Sequence, residues 1–291
     1  MEKQTSPVLS LHEQIIRHPE LSVHPLRWTA RHLDLMCCRF QEIDIPPEAE
    51  TGAYQEDTVE NVEEFTREGS LGCWKSSFFC CLFKGEGSRL KHHKGVSPSF
   101  LFPRRRPHKL ECNILFPEPA IFAAENDRTA DLIIGFVAYD DVAVRRRGRC
   151  FPNWHPNSNG SAQDLYLRNL RKYSPEIWFE DPYLICNMLS LAQIQWREVR
   201  CEFYPVRLVV AHDDELTNAY VYYAEFPEGI LDQLLKPVLR TEATWPTIYY
   251  TKIPYEPYGT FADRITKALL NAKVEISEKE DEAICKRVKV E

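Results

Sequence analysis

Apolar positions divide the chain into a helical beginning, a middle with no sustained period, and a final third where strand and helix patterns alternate. Near the N-terminus, Leu9, Leu11, Ile15 and Ile16 predict a short helix ending by His18-Pro19. Trp28, His32, Leu35, Met36 and Phe40 recur at helical spacing and predict a second. The run ADLIIGFVAYDD, Ala130 to Asp141, reads as a buried strand with Gly135 inside it and acids after it. Asp181 is a natural N-cap, and Pro182 fills the first helical position, where its missing N–H costs nothing. Tyr183, Ile185, Met188, Leu189, Ala192 and Trp196 carry that helix to about Val199.

The last third predicts strand, turn, strand, short helix, strand and amphipathic helix. RLVVAHDD (Arg207 to Asp214) leads through a hairpin connection, Asp213 to Asn218, into AYVYYAEFPEGILDQLL (Ala219 to Leu235). WPTIYYTKIPYEPYGTFADRITKALL, Trp245 to Leu270, supplies the rest. Thr260 and Asp263 stand at capping-box spacing, and Phe261, Ile265, Ala268, Leu269 and Ala272 form the helix's buried stripe.

The middle behaves differently. Glu42 to Glu68 holds ten acids against one base, Arg67, and reads as a self-repelling, solvated connector. From Lys84 to Lys109 the balance reverses, with eight Lys or Arg and one Glu. Residues 69–110 therefore read as an insertion, or as non-coding sequence carried into the gene model, with little regular structure. The stretch 145–163, rich in Gly, Pro, Asn and Ser, reads as a loop. The expected architecture is α/β (α+β): a helical N-terminal region over 1–41, an acidic then basic, cysteine-rich and largely irregular segment over 42–110, a mixed-sheet domain with packed helices over 111–272, and a charged tail over 273–291.

Composition narrows the function classes. The 291 residues are 44% hydrophobic and 27% charged, enough to bury a core. A net charge of −7 argues against a dedicated nucleic-acid binder. Gly-rich dinucleotide and phosphate loops are absent. No apolar h-region marks the first residues, and the longest apolar run, Leu184 to Ile194, is about half the ~20 residues of a membrane span. An intracellular protein, cytoplasmic or nuclear, is expected. Its ten cysteines would then stay reduced, and the sequon Asn159-Gly160-Ser161 would be coincidental.

Candidate chemistry is sparse. Cys73, Cys80, Cys81, His92 and His93 lack the C-x2–4-C knuckle of a structural zinc site, and Cys37-Cys38 are too close to share an ion comfortably. His12, His18, His24 and His32 follow no ligand or catalytic spacing. Asp131, Asp213, Asp214 and Glu225 are carboxylates at strand boundaries, the residue type that holds Mg²⁺ against a scissile phosphate. Arg104-Arg105-Arg106 with His108 and Lys109, and Arg145 to Arg149, are basic clusters that suit a solvated loop, with nuclear import or phosphate contact as the alternatives. Trp245 to Tyr250 and Ile253 to Tyr258 place aromatics either around a ligand or over a core. No residue is assigned a catalytic, cofactor-binding or metal-binding role, and no cofactor is expected.

Two resemblances attach to these residues. Asp181 to Glu198, Val206 to Leu234, and the motif K-I-P-Y-x-P-Y-x-T-F-A-D-R at Lys252 to Arg264 resemble a group of functionally uncharacterised proteins of filamentous fungi, over about residues 130–271. That resemblance implies kinship without a mechanism, and some such proteins are encoded in secondary-metabolite gene clusters. T-A-D-L-I-I-G, Thr129 to Gly135, followed by the helix bearing Gln193 and Gln195, faintly resembles the restriction-endonuclease-like fold. The (D/E)-x-K triplet which that family carries is missing between Gly148 and Ser161, and Glu225 is followed by Phe226-Pro227, so the resemblance implies a degenerate site. The expected function is a non-catalytic binding protein with a protein or small-molecule partner, the charged groups scattered outside the core. The alternatives are an accessory enzyme or protein of a fungal secondary-metabolite pathway, or a catalytically degenerate nuclease-like protein.

Overall fold

Strand alternation sorts the side chains of the final third onto two faces, and both faces are covered. Along Phe203–Ala211, Val206, Leu208 and Val210 enter one apolar cluster while Val209 and Ala211 enter another. In Asn218–Pro227, Tyr220, Tyr222, Ala224 and Phe226 take the first side, and Ala219, Val221 and Tyr223 the second.

The computed structural model describes residues 9–43, 56–67, 72–83, 89–93, 98–102, 107–117, 132–150 and 160–271. In chain order the elements are α1 (Leu11–Arg17), α2 (Ala30–Met36), β1 (Arg39–Glu42), α3 (Glu56–Thr66), α4 (Gly72–Cys81), β2 (Leu90–His93), β3 (Ser99–Phe100), β4 (His108–Lys109), β5 (Asn113–Pro117) and β6 (Ile133–Ala138). They continue as α5 (Tyr139–Cys150), α6 (Gly160–Tyr173), α7 (Pro182–Glu198), β7 (Phe203–Ala211), β8 (Asn218–Pro227), α8 (Glu228–Leu235), β9 (Thr247–Pro254) and α9 (Phe261–Asn271).

Seven strands form one mixed sheet in the order β1-β9-β8-β7-β6-β5-β2. The β1/β9 and β6/β7 pairs are parallel and the others antiparallel. The fold is therefore α/β, with helices on both sides of the sheet. Helix α7, with residues of α1 and α2, shares the cluster of Val206 and Tyr222. Residues of α3, α4 and α9 share that of Val209 and Tyr223. Six consecutive buried residues in β6 follow from that double cover, since an inner strand has no wet face.

The start of α7 follows the expectation. Asp181 caps it by accepting the Tyr183 N–H at 2.9 Å, and Pro182 opens it. Its burial is wider than one stripe, because Asn187, Ser190, Gln193 and Gln195 are buried as well. Gln193 accepts the Leu101 N–H at 2.9 Å and donates to the Leu101 carbonyl at 2.8 Å, while Gln195 donates to the Pro205 carbonyl at 2.8 Å. Those glutamines clip neighbouring backbone in place. In α9, Arg264 donates to the carbonyls of Pro254 (2.6 Å), Tyr255 (2.9 Å) and Pro257 (3.0 Å), which gives the arginine of F-A-D-R a structural role.

Four expectations are corrected. Residues 56–66 and 72–81 are helical and 90–93 is a strand, because Val62, Phe65, Phe79, Phe83 and Leu90 bury themselves against the second face of the sheet. The supposed loop from 145 is helical to Cys150, and α6 begins at Gly160. Phe40 lies in β1 rather than in a helix. The Thr260 hydroxyl donates to the Pro257 carbonyl at 3.2 Å and accepts from Arg264, so it engages the preceding loop instead of a box with Asp263. Asp131, Arg104 to Arg106, Ala272 and the tail lie outside the described residues.

Two outcomes are expected. A Cβ on Gly135 would meet Cys112 Sγ at 2.7 Å and both Leu191 Cδ1 and Leu208 Cδ1 at 2.8 Å. Gly135→Ala should lower the unfolding free energy in urea by about 1–3 kcal/mol through overpacking; an unchanged midpoint contradicts this. Burial holds the His32 imidazole below its usual range, with Nδ1 accepting the Thr29 N–H and Nε2 set 2.9 Å from the Glu20 carbonyl. The unfolded chain binds that proton more readily, so the stability from neutral His32 is complete above about pH 6.5 and is lost as pH falls toward the folded value. His32→Gln should flatten the decline in urea midpoint between pH 7 and pH 5; parallel curves for both proteins would argue against it.

Candidate functional site

Strand register builds the site. The parallel ladder pairs Ala138 at the end of β6 with Ala211 at the end of β7. Tyr139-Asp140-Asp141 and His212-Asp213-Asp214 consequently leave the sheet side by side, at the C-terminal strand edge where open α/β sheets take their ligands. Asp140 and Asp141 sit in the first turn of α5, where the helix dipole favours carboxylates.

Four groups converge there. Lys75 of α4, only 1% exposed, pairs with Asp213 at 2.7 Å. Asp140 accepts the Asp213 N–H at 3.0 Å, and its other oxygen lies 3.8 Å from His212 Nε2. His212 Nδ1 accepts the Asp214 N–H at 2.9 Å, which puts the proton of the neutral ring on Nε2, facing Asp140. Burial pushes the Asp140 carboxyl above its usual range, opposed by His212 and Lys75 and reinforced by Asp213. Asp141 is raised as well, again chiefly by burial. The expectation of scattered charges is thus corrected: two acids, a lysine and a histidine meet because α4, read as irregular, delivers Lys75 to the strand end.

Aromatic rings wall the site on one side. The Tyr139 and Trp178 rings lie 5.3 and 4.9 Å from that of His212. Tyr220 meets Trp178 edge-on at 4.8 Å and stacks on Phe179 at 5.1 Å. Lys252, paired with Glu42 at 2.8 Å, lies over Phe179. Burial, then Glu215, pushes the Tyr220 phenol up to about 12, so it remains a hydrogen-bond donor at neutral pH. On the other side a cavity of about 110 Å³ is lined by Ser76, Glu111, Asn113 and Asp141 among others. At ~30 Å³ per water that is room for about three waters or one small polar head group.

Of the carboxylates singled out from sequence, Asp213 belongs to the cluster and Asp214, adjoining it, is solvent-exposed. Glu225 does not belong, for it pairs with Pro205 near the start of β7, five ladder positions from Val210 and so about 17 Å along the strand. Among the described residues no group of three or more His, Cys, Asp or Glu is arranged to hold a metal ion. Cys80 and Cys81 lie on α4 and His92 on β2. His24 caps the Leu26 N–H, and His32 ties Thr29 to Glu20. Arg146 of the second basic cluster is withdrawn into a buried pair with Asp181 at 2.5 Å, on a helix rather than a loop. Tyr250 and Tyr255 are buried and join the core.

Fold and site together define a mixed-sheet α/β protein with an acidic strand-end cluster. No known protein-family model matches the chain, and no curated protein matches it. Among the described residues no helix is long and apolar enough to cross a membrane. Sequence reasoning overlooked Asp140, Lys75 and His212. A usable signal for two of them was the repeat of Ala-aromatic-Asp-Asp, Ala138 to Asp141 and Ala211 to Asp214, after two apolar runs.

The Lys75–Asp213 pair is asymmetric. Asp213→Ala takes the ion-pair partner from an ammonium that water cannot reach and leaves it only the more distant Asp140, whereas Lys75→Met leaves a carboxylate that keeps 27% of its surface exposed. Urea unfolding at pH 7 should show Asp213→Ala as the costlier change, about 3–5 kcal/mol against about 1–3 kcal/mol. The reverse order would mean that the lysine is not held by this partner.

Proposed function

We propose that the protein is a binding protein that takes a small organic amine at the acidic end of β6 and β7. The observation that carries this reading is the 110 Å³ polar cavity lined by Asp141, a carboxyl that burial has raised, as it has that of Asp140, the preceding residue. An ionised carboxylate kept from water is poorly stabilised, and an ammonium group entering the cavity relieves that cost. The local balance favours a cation: Asp140, Asp141, Asp213, Asp214 and Glu215 stand against Lys75 and Arg145, the latter acting on Asp141 from outside the strand-end cluster. Glu111, which also lines the cavity, is already paired with Arg145 at 2.5 Å. Ser76 and Asn113 add neutral hydrogen-bonding groups that orient a head group without changing the charge.

A second reading rests on Asp140 alone. A half-buried carboxyl raised by burial, facing the His212 N–H, has the character of a general base. On that reading the amine is a substrate and is consumed.

Isothermal titration with ethanolamine and with putrescine, at ionic strength matched with sodium chloride, tests the proposal. Saturable binding is expected, tightening as pH rises through the raised carboxyl range, because the cation favours the ionised form. Asp141→Asn should weaken it at least about tenfold with the circular dichroism unchanged. Heats no different from those of sodium chloride would end the amine reading. Loss of free amine over time would move the assignment to the enzymatic one.

A further inference from the structure

A second feature lies at the opposite end of the sheet, where β7 begins. An open groove of about 650 Å³ runs there, within the volume range of ligand clefts. One wall is the run Arg200 to Phe203 between α7 and β7, and the other is the run Thr241 to Thr244 between α8 and β9. Gly229 lines it as well. A Cβ there would stand 2.4 Å from Thr241 Oγ1 and 3.1 Å from Ala243 Cβ, so the second wall lies as close as it does because position 229 has no side chain.

We infer that this groove is a docking site for an extended basic peptide segment of another protein, laid between the two walls by main-chain hydrogen bonds. Three observations support it. Among the described residues the backbone groups of Glu242 and Thr244 make no hydrogen bond within the chain, and neither does the N–H of Glu202, whose carbonyl is taken by Glu228. Unpaired backbone in the runs that line a groove suits an added strand. The charge in the groove is acidic once internal pairs are removed. Arg200 lies over the Trp196 ring at 3.9 Å and is held by Glu228 (3.0 Å) and Asp232 (3.3 Å), leaving Glu202 and Glu242 exposed and, among the described residues, without ion pairs. Phe203, 40% exposed, offers one apolar contact for an alternate side chain of such a peptide.

This site shares no residue with the amine cavity, and the two can fail independently. The probe is a fluorescein-labelled heptapeptide alternating Lys and Val, followed by anisotropy. Its control is the same peptide N-methylated at alternate residues, which keeps the charge and loses backbone donors. Saturable binding is expected for the first, at least about tenfold weaker binding for the second, and a comparable loss for the first peptide with the Glu202→Lys/Glu242→Lys protein. Both glutamates are exposed, so that variant should keep its circular dichroism and urea midpoint. The Asp141→Asn protein should bind the peptide like the parent. Equal affinity for the two peptides would reduce the contact to unspecific charge attraction and overturn strand docking. Unchanged binding by the double glutamate variant would place the peptide elsewhere, and the inference would fall.

Discussion

One buried ion pair ties the molecule together. Arg146 of α5 and Asp181, the cap of α7, meet at 2.5 Å where neither side chain reaches water. Each of their polar groups is used. The Arg146 Nε–H goes to the Leu26 carbonyl at 3.1 Å and one terminal N–H to the Tyr139 hydroxyl at 3.2 Å, while Tyr139 donates to Asp181 at 2.6 Å. The second Asp181 oxygen receives the Tyr183 N–H. An ion pair in such a place adds little net stability compared with apolar packing, but removing one member leaves a charge in a medium that cannot solvate it. The network therefore acts as a constraint more than as a reservoir of stability. It fixes the N-terminal turn, the β6–α5 junction and the start of α7 relative to one another.

The strand-end site inherits its geometry from that constraint. Tyr139 belongs to the network and lies against His212. The turn Trp178–Glu180 ends at Asp181, so capping α7 also sets where Trp178 stands beside His212 and Tyr220. The far wall comes from the other helix layer through Lys75 on Asp213. Two helical layers thus grip the ends of one parallel strand pair, and the acids between them are held partly dry.

Legibility in the sequence followed the locality of each signal. Helix α7, the hairpin after β7 and the amphipathic α9 were readable because cap, turn and stripe lie within a few residues of one another. Helix α3 was not, since its acidic surface outweighed a narrow stripe of Val62 and Phe65 that only the sheet makes useful. In α4, cysteines and aromatics around Lys75 gave no period, and a lysine's burial depends on an aspartate 138 positions away. Gln193 and Gln195 looked like a motif and turned out to clip distant backbone. Parallel pairing between β6 and β7 was equally hidden, so the two Asp-Asp steps could be read singly but not as neighbours.

The central claim is that paired, desolvated charge at Arg146 and Asp181 orders the structure around it. A urea double-mutant cycle with Arg146→Met, Asp181→Asn and the double variant, at pH 7, addresses it directly. Each single change should cost about 3–5 kcal/mol, and the double should cost clearly less than their sum, because it leaves no lone charge behind. Single losses under about 1 kcal/mol that add in the double variant would contradict the account.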